Sequence, residues 1–263
     1  MRRWLFRVLL LAALSAACAP PPEAEESDDA LVGGSREAGW LAAGYLASSD
    51  TPSRVVCGAT LIAPKVVVTA AHCVHRHRTA PLVFGVGSVR ERRHVAVRSI
   101  HYHAEAHPEG EGAVDVAHTL RLNDLAYLQL VQPVTDVAPA AIPTASPKWA
   151  GCDVQLVAYG GRAEGESARV SATGCVVLKP EIAGDAILEI RPRGGAAVCH
   201  VDGDEGHAAM ARDEAGREAL VGIYVGSVTQ SMSDCRAHLQ LLNGYEDVAG
   251  HADFFAEALA SVR

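Results

Sequence analysis

Beyond residue 20 the 263-residue chain has no apolar run long enough to span a bilayer, which excludes a transmembrane helix there. It also lacks a basic excess. Lys and Arg number 23 against 31 Asp and Glu, for a net charge of −8. A phosphate backbone wants a basic face, so nucleic acid is excluded as the main partner. Cys-x-x-Cys pairs are missing, which removes the usual zinc-binding spacing, and neither metal nor cofactor is expected. What is present is apolar bulk: 49% of the residues are hydrophobic, enough for one large all-β domain or two small ones.

The first 18 residues have the pattern of an export signal. Arg2, Arg3 and Arg7 precede the apolar run Leu9 to Leu14, and small residues Ser15, Ala16 and Ala17 lead into Cys18. Small residues before a cysteine resemble a bacterial lipoprotein signal, in which Cys18 carries the lipid. An ordinary secretory signal cut near Ala19 is the alternative. Residues 19–30, rich in Pro and acid, cannot bury apolar surface and are expected to be a disordered tether or propeptide. The protein is thus expected to be exported, as a cell-envelope lipoprotein or a secreted monomer. Removing Cys18 leaves six cysteines, an even number that suggests disulfides in an exported chain.

Residues 31–248 are mostly short β-type runs separated by Gly, Pro, Asp and Ser, the pattern of a sandwich or barrel. Val55–Ile62, Val66–Thr69, Leu82–Val86, Val95–Ile100, Ala126–Val131, Val154–Tyr159, Cys175–Leu178, Ile187–Ile190 and Leu220–Val225 are expected strands. The exception is the end, where Phe254, Phe255, Ala258 and Leu259 lie at helical spacing and predict a helix over about 251–262. Pro139, Pro143 and Pro147 mark a linker within Pro139–Ala150. The His- and Glu-rich stretch 101–119 reads as a solvated insertion, since its histidines match no ligand template.

Chemistry is concentrated in a few segments. Cys57-Gly-Ala-Thr-Leu-Ile-Ala-Pro-Lys-Val-Val-Val-Thr-Ala-Ala-His72-Cys73 is an apolar strand running into a small-residue turn and a histidine flanked by cysteine. Asn123-Asp124-Leu125-Ala126-Tyr127-Leu128 follows, and Leu31-Val32-Gly33-Gly34 precedes. Together these resemble the chymotrypsin/trypsin family of serine proteases over residues 31–263. The resemblance implies an all-β fold: two six-stranded antiparallel β-barrels, about 31–138 and 150–248, with a C-terminal helix and the site between the barrels. It implies that His72 is the general base and that Asp124 fixes its tautomer and orientation. It implies that Leu31, freed by cleavage after Ala30, pairs with Asp204. It also implies bridges Cys57–Cys73 and Cys199–Cys235, with Cys152 and Cys175 as the third pair.

The pattern breaks at Cys199-His-Val-Asp-Gly-Asp-Glu-Gly-His-Ala-Ala-Met210, where the family has Cys-x-Gly-Asp-Ser-Gly-Gly-Pro. Allowing two extra residues matches Gly203, Asp204 and Gly206 and puts Glu205 in the serine position, with the backbone of Gly203 and Glu205 as oxyanion donors. Strict spacing puts Gly203 there. Neither gives a serine, and no Ser or Thr occurs from Gly194 to Gly226. In the specificity pocket the resemblance places Ala197 at the base and Val225 on the wall, so no carboxylate attracts Arg or Lys. A Glu205 beside His72 is expected to form an ion pair that raises the histidine pKa. The expectation is a non-proteolytic homologue that binds protein or peptide at its cleft or loops. An active endopeptidase with an unusual nucleophile is the alternative, and a metal-dependent hydrolase using His72, Glu205 and His207 is a third reading.

Overall fold

Apolar runs with both faces buried become strands that serve two cores at once. In the computed structural model, residues 35–36, 39–86, 93–107, 113–114, 120–143, 153–159, 169–178, 187–193, 203–229 and 240–262 are described. The strands are β1 (Ser35–Arg36), β2 (Ala43–Ser48), β3 (Thr51–Ala63), β4 (Val66–Ala70), β5 (Leu82–Val86), β6 (Arg93–Tyr102), β7 (Ala113–Val114), β8 (Leu120–Arg121) and β9 (Leu125–Leu130). Then come β10 (Val154–Ala158), β11 (Val170–Leu178), β12 (Ile187–Pro192), β13 (Ala208–Arg212), β14 (Glu218–Thr229) and β15 (Gln240–Asp247). Two helices, α1 (Ala71–Arg76) and α2 (Ala252–Ala260), complete the set, and none among the described residues is long and apolar enough to cross a membrane.

β2-β3-β4-β9-β6-β5 close into one antiparallel barrel. The second ring runs β11-β10-β13-β14-β15-β12 and closes through β11–β12, with β1 added at β11. The two six-stranded barrels and C-terminal helix expected from the sequence are therefore present. Ser35–Arg36, at the start of the segment assigned to barrel one, pairs with Val170 and Ser171 in the sheet of barrel two.

The period-2 alternation of strands explains the packing. Val67 of β4 and Ala126, Leu128 and Leu130 of β9 fill barrel one with Leu46, Leu61 and Phe84. Their neighbours Val66, Val68, Leu125 and Tyr127 face outward onto Val157, Met210, Leu220 and Ile223 of barrel two. Phe254, Phe255 and Ala258 of α2 join that same seam. Barrel two has its own core of Leu156, Ile190, Val221, Tyr224 and Tyr245.

The entry to barrel one is clamped onto barrel two. Glu218 accepts the backbone N–H groups of Leu41 and Ala42, each at 3.1 Å. The Arg212 guanidinium lies 4.6 Å over the Trp40 ring, a cation–π contact. These contacts hold Trp40 at φ +53°, a conformation that bulky residues rarely adopt.

Candidate functional site

The seam brings together residues from four places in the chain. β4 ends at Ala70, and His72 lies in the first turn of α1 rather than on the strand end itself. A helix start leaves backbone N–H groups without intrahelical partners. No side chain at Ala70 caps them. Asp124 does so from 52 residues away: its carbonyl accepts the Ala71 N–H at 2.9 Å and its Oδ1 accepts the His72 N–H at 2.8 Å. Oδ2 then takes the His72 ring at Nδ1, 2.5 Å away. With the carboxylate on Nδ1, the neutral ring carries its proton there and Nε2 keeps the lone pair. Both side chains are 1% exposed. Cys57 and Cys73 are bridged, and Val225 packs with both cysteines and with Ala70 in one buried cluster. Nε2 of His72 lies 3.8 Å from the Cys73 sulfur.

The segment 203–207 meets this frame from barrel two. Gly203 and Gly206 have φ of +95° and +76°, values that favour glycine. Close approach also requires glycine: a Cβ on Gly206 would stand 2.3 Å from Thr69 Oγ1, and one on Gly58 would stand 2.4 Å from the Cα of His207. The strand–loop contact is made by Gly58 N–H donating to the Glu205 carbonyl at 2.8 Å, while Thr69 Oγ1 donates to the Gly58 carbonyl at 2.7 Å. Asp204 is fully buried.

The Glu205 side chain does not pair with His72. Its Oε2 accepts the Gly203 N–H at 3.0 Å, and among the described residues no ion pair joins it to the imidazole. The expected ion pair is thus corrected. A carboxylate two residues past a left-handed glycine can fold back onto that glycine's N–H, a charge-assisted bond that needs no movement of the buried histidine.

His207 does not join a metal-binding group either. Its Nδ1 lies 2.7 Å from the Asp204 carbonyl and its Nε2 lies 3.0 Å from the Tyr245 hydroxyl, so the protein occupies both nitrogens. No cluster of His, Cys, Asp and Glu among the described residues could hold a metal. Burial pushes the His207 pKa down to about 3, against the pull of the Asp204 carbonyl, which favours the protonated ring. Burial also raises the pKa of Tyr245. Between pH 6.5 and about 3 the unfolded chain therefore binds a proton that folded His207 refuses. Stability is expected to fall with pH across that window by about 1.4 kcal/mol per unit from this group, and to be insensitive to it above the window. Urea midpoints at pH 7 and pH 4.5 check this. His207→Gln should show the shallower pH slope, whatever its own cost at pH 7.

Cys18, Leu31, Cys152, Ala197, Cys199 and Cys235 lie outside the described residues. Cys175 is disulfide-bonded, to a partner also outside them. Two residues near the site were not singled out by sequence. Glu246 Oε1 accepts the Asp124 N–H at 2.9 Å, and His251 Nε2 bonds Glu246 Oε2 at 2.7 Å. Both residues are buried. A Glu between Tyr245 and Val248 near the end of a strand gives no local sign of burial. Only the strand pairings, Ile223 and Ile187 on either side, put it there.

A family model described as Trypsin matches residues 32–239. Among solved structures the chain is similar to neuropsin, described as a serine protease expressed in the limbic system of mouse brain. The TM-score is 0.62 and the identity 16%, covering 83% of this chain and 94% of that one. At that identity the likeness concerns the fold.

Proposed function

We propose a function from one premise: this chain belongs to the trypsin family. It is a homologue that has given up peptide hydrolysis and binds protein or peptide through its former cleft or loops. The observation that carries this reading is the Glu205 carboxylate bonded to the Gly203 N–H. On the alignment that keeps Gly203, Asp204 and Gly206, Glu205 stands where the family has its serine, and the left-handed glycines and buried Asp204 support that alignment. A carboxylate attacking an amide would form an anhydride more reactive than the amide itself, so Glu205 is no substitute nucleophile. Its charge also sits on a backbone donor that acyl transfer needs for the oxyanion. The burial of His72 adds a further obstacle to substrate.

The bridged Cys57 and Cys73, with a bonded Cys175, support an oxidising compartment and hence export. Attachment through a lipid on Cys18 is part of the same proposal. Cleavage after Ala30 would then release the domain, so the protein exists either anchored with Leu31 blocked or cut and soluble.

The test is turnover of a denatured protein, and labelling by a fluorophosphonate, after Leu31 has been exposed. Neither is expected above the level of His72→Ala. Hydrolysis that survives in Glu205→Ala and disappears in His72→Ala would overturn the proposal. The intact His72–Asp124 pair favours a second reading, an active endopeptidase with an unusual nucleophile, and that same result would support it.

A further inference from the structure

We infer that Glu246 is a positioning residue for the His72–Asp124 pair, with His251 holding it in place. The inference is independent of whether the chain hydrolyses peptides.

Asp124 has two tasks that compete for its geometry. Its carbonyl and both carboxylate oxygens face α1, where they take Ala71 N–H, His72 N–H and the His72 ring. Its own N–H must therefore find a partner elsewhere, because a buried N–H left without one is costly. Asn123, at φ +54°, turns the chain just before Asp124, and the Asp124 N–H donates across the seam to Glu246 Oε1. Asp124 precedes β9 of barrel one, while Glu246 belongs to β15 of barrel two. The bond joins the barrels directly behind the histidine.

A carboxylate is an expensive acceptor at such a place. Glu246 is 0% exposed, and burial pushes its pKa up from the ordinary carboxylate range, opposed by the hydrogen bond from His251. A neutral acceptor would take one N–H with less desolvation. The carboxylate adds a second oxygen, and His251 engages it. His251 is itself fixed: it opens α2, its backbone is bonded to Asp247 and Val248, and its ring meets the His103 ring edge-on at 5.3 Å. Glu246 is thus held at both oxygens and presents one rigid acceptor to Asp124. Orientation passes from α2 through His251 and Glu246 to Asp124, and from Asp124 to the His72 ring.

The test reads the ring directly. In NMR of the whole exported chain, the His72 Nδ1 proton bonded to Asp124 is expected far downfield. In Glu246→Ala that resonance is expected to move upfield or broaden. The Asp124 amide should exchange about tenfold faster or more, while Leu128, in the adjoining strand, keeps its rate. Glu246→Gln, which retains an oxygen for Asp124, should restore most of the signal. An unchanged Nδ1 proton and Asp124 amide in Glu246→Ala would overturn the inference. So would a change shared equally by Leu128, because that is general loosening. If Glu246→Ala does not fold, His251→Phe decides: the Nδ1 proton should move, and a proton that stays put overturns the inference.

Discussion

Glu205→Ser is expected to gain labelling by a fluorophosphonate and measurable hydrolysis of an activated ester, neither of which the parent chain shows under the proposed function. The substitution would put two groups to use. Removing the carboxylate releases the Gly203 N–H, now bonded to Glu205 Oε2, as a donor for an oxyanion. A single donor of that kind is worth on the order of 10²–10³-fold in turnover. Where residue 205 stands beside His72, as the proposed alignment has it, the new hydroxyl also gives His72 Nε2 a proton to accept, with Asp124 already on Nδ1. Removing the serine from a working triad costs on the order of 10⁶-fold. The variant should recover only part of that, because His72 is covered, and a gain on the order of 10²–10³-fold over the parent is the expected result. Glu205→Ser combined with His72→Ala should fall back to the parent level. Equal rates in the single and double variants would mean that residue 205 does not serve His72, leaving Gly203 as the candidate for the serine position.

Gly58→Ala is expected to give a large loss of stability from a single methyl group. The added carbon would stand 2.4 Å and 2.5 Å from the Cα and N of His207 and 2.9 Å from the carbonyl carbon of Gly206. All three are backbone atoms, so no side-chain rotation relieves the overlap. Segment 203–207 must retreat, breaking the Gly58 N–H bond to the Glu205 carbonyl. Overpacking and the lost bond together should cost about 2–4 kcal/mol, read as a lower urea midpoint. Gly216→Ala is the control. Its φ is also left-handed, at +75°, but a Cβ there meets nothing within 4 Å, so only backbone strain of about 1–2 kcal/mol applies.

How legible these features were depended on whether their causes were local. β3, β4, β5, β9 and β14 follow from continuous β-branched and apolar runs, and sequence finds them within a residue or a few. β2 and β13 were missed. Ala43–Ser48 and Ala208–Arg212 are rich in alanine, a residue with no preference for strands. They are strands because small side chains fit where the barrels meet, as Ala43 and Ala208 do. Likewise His72 and Asp124 were legible because each sits in a recognisable local pattern. The direction of the Glu205 side chain was not, since it depends on φ at Gly203 rather than on residue type. Glu246 was hidden because its partner Asp124 lies more than 120 residues away, and His251 because its own partner is Glu246.

The seam also sets a timetable for synthesis. The strands of barrel one lie within residues 43–130, so that barrel can close when half the chain has yet to be made. His72 and Asp124 can already meet then. The outward face carrying Val66, Val68, Leu125 and Tyr127 must wait for Val157, Met210 and Ile223, and last of all for Phe254 and Phe255. Until the final dozen residues emerge, an apolar face stays bare to water, a state open to mispairing or chaperone capture. The histidine pair can thus form early in the life of the chain, before the structure that shields and aligns it is complete.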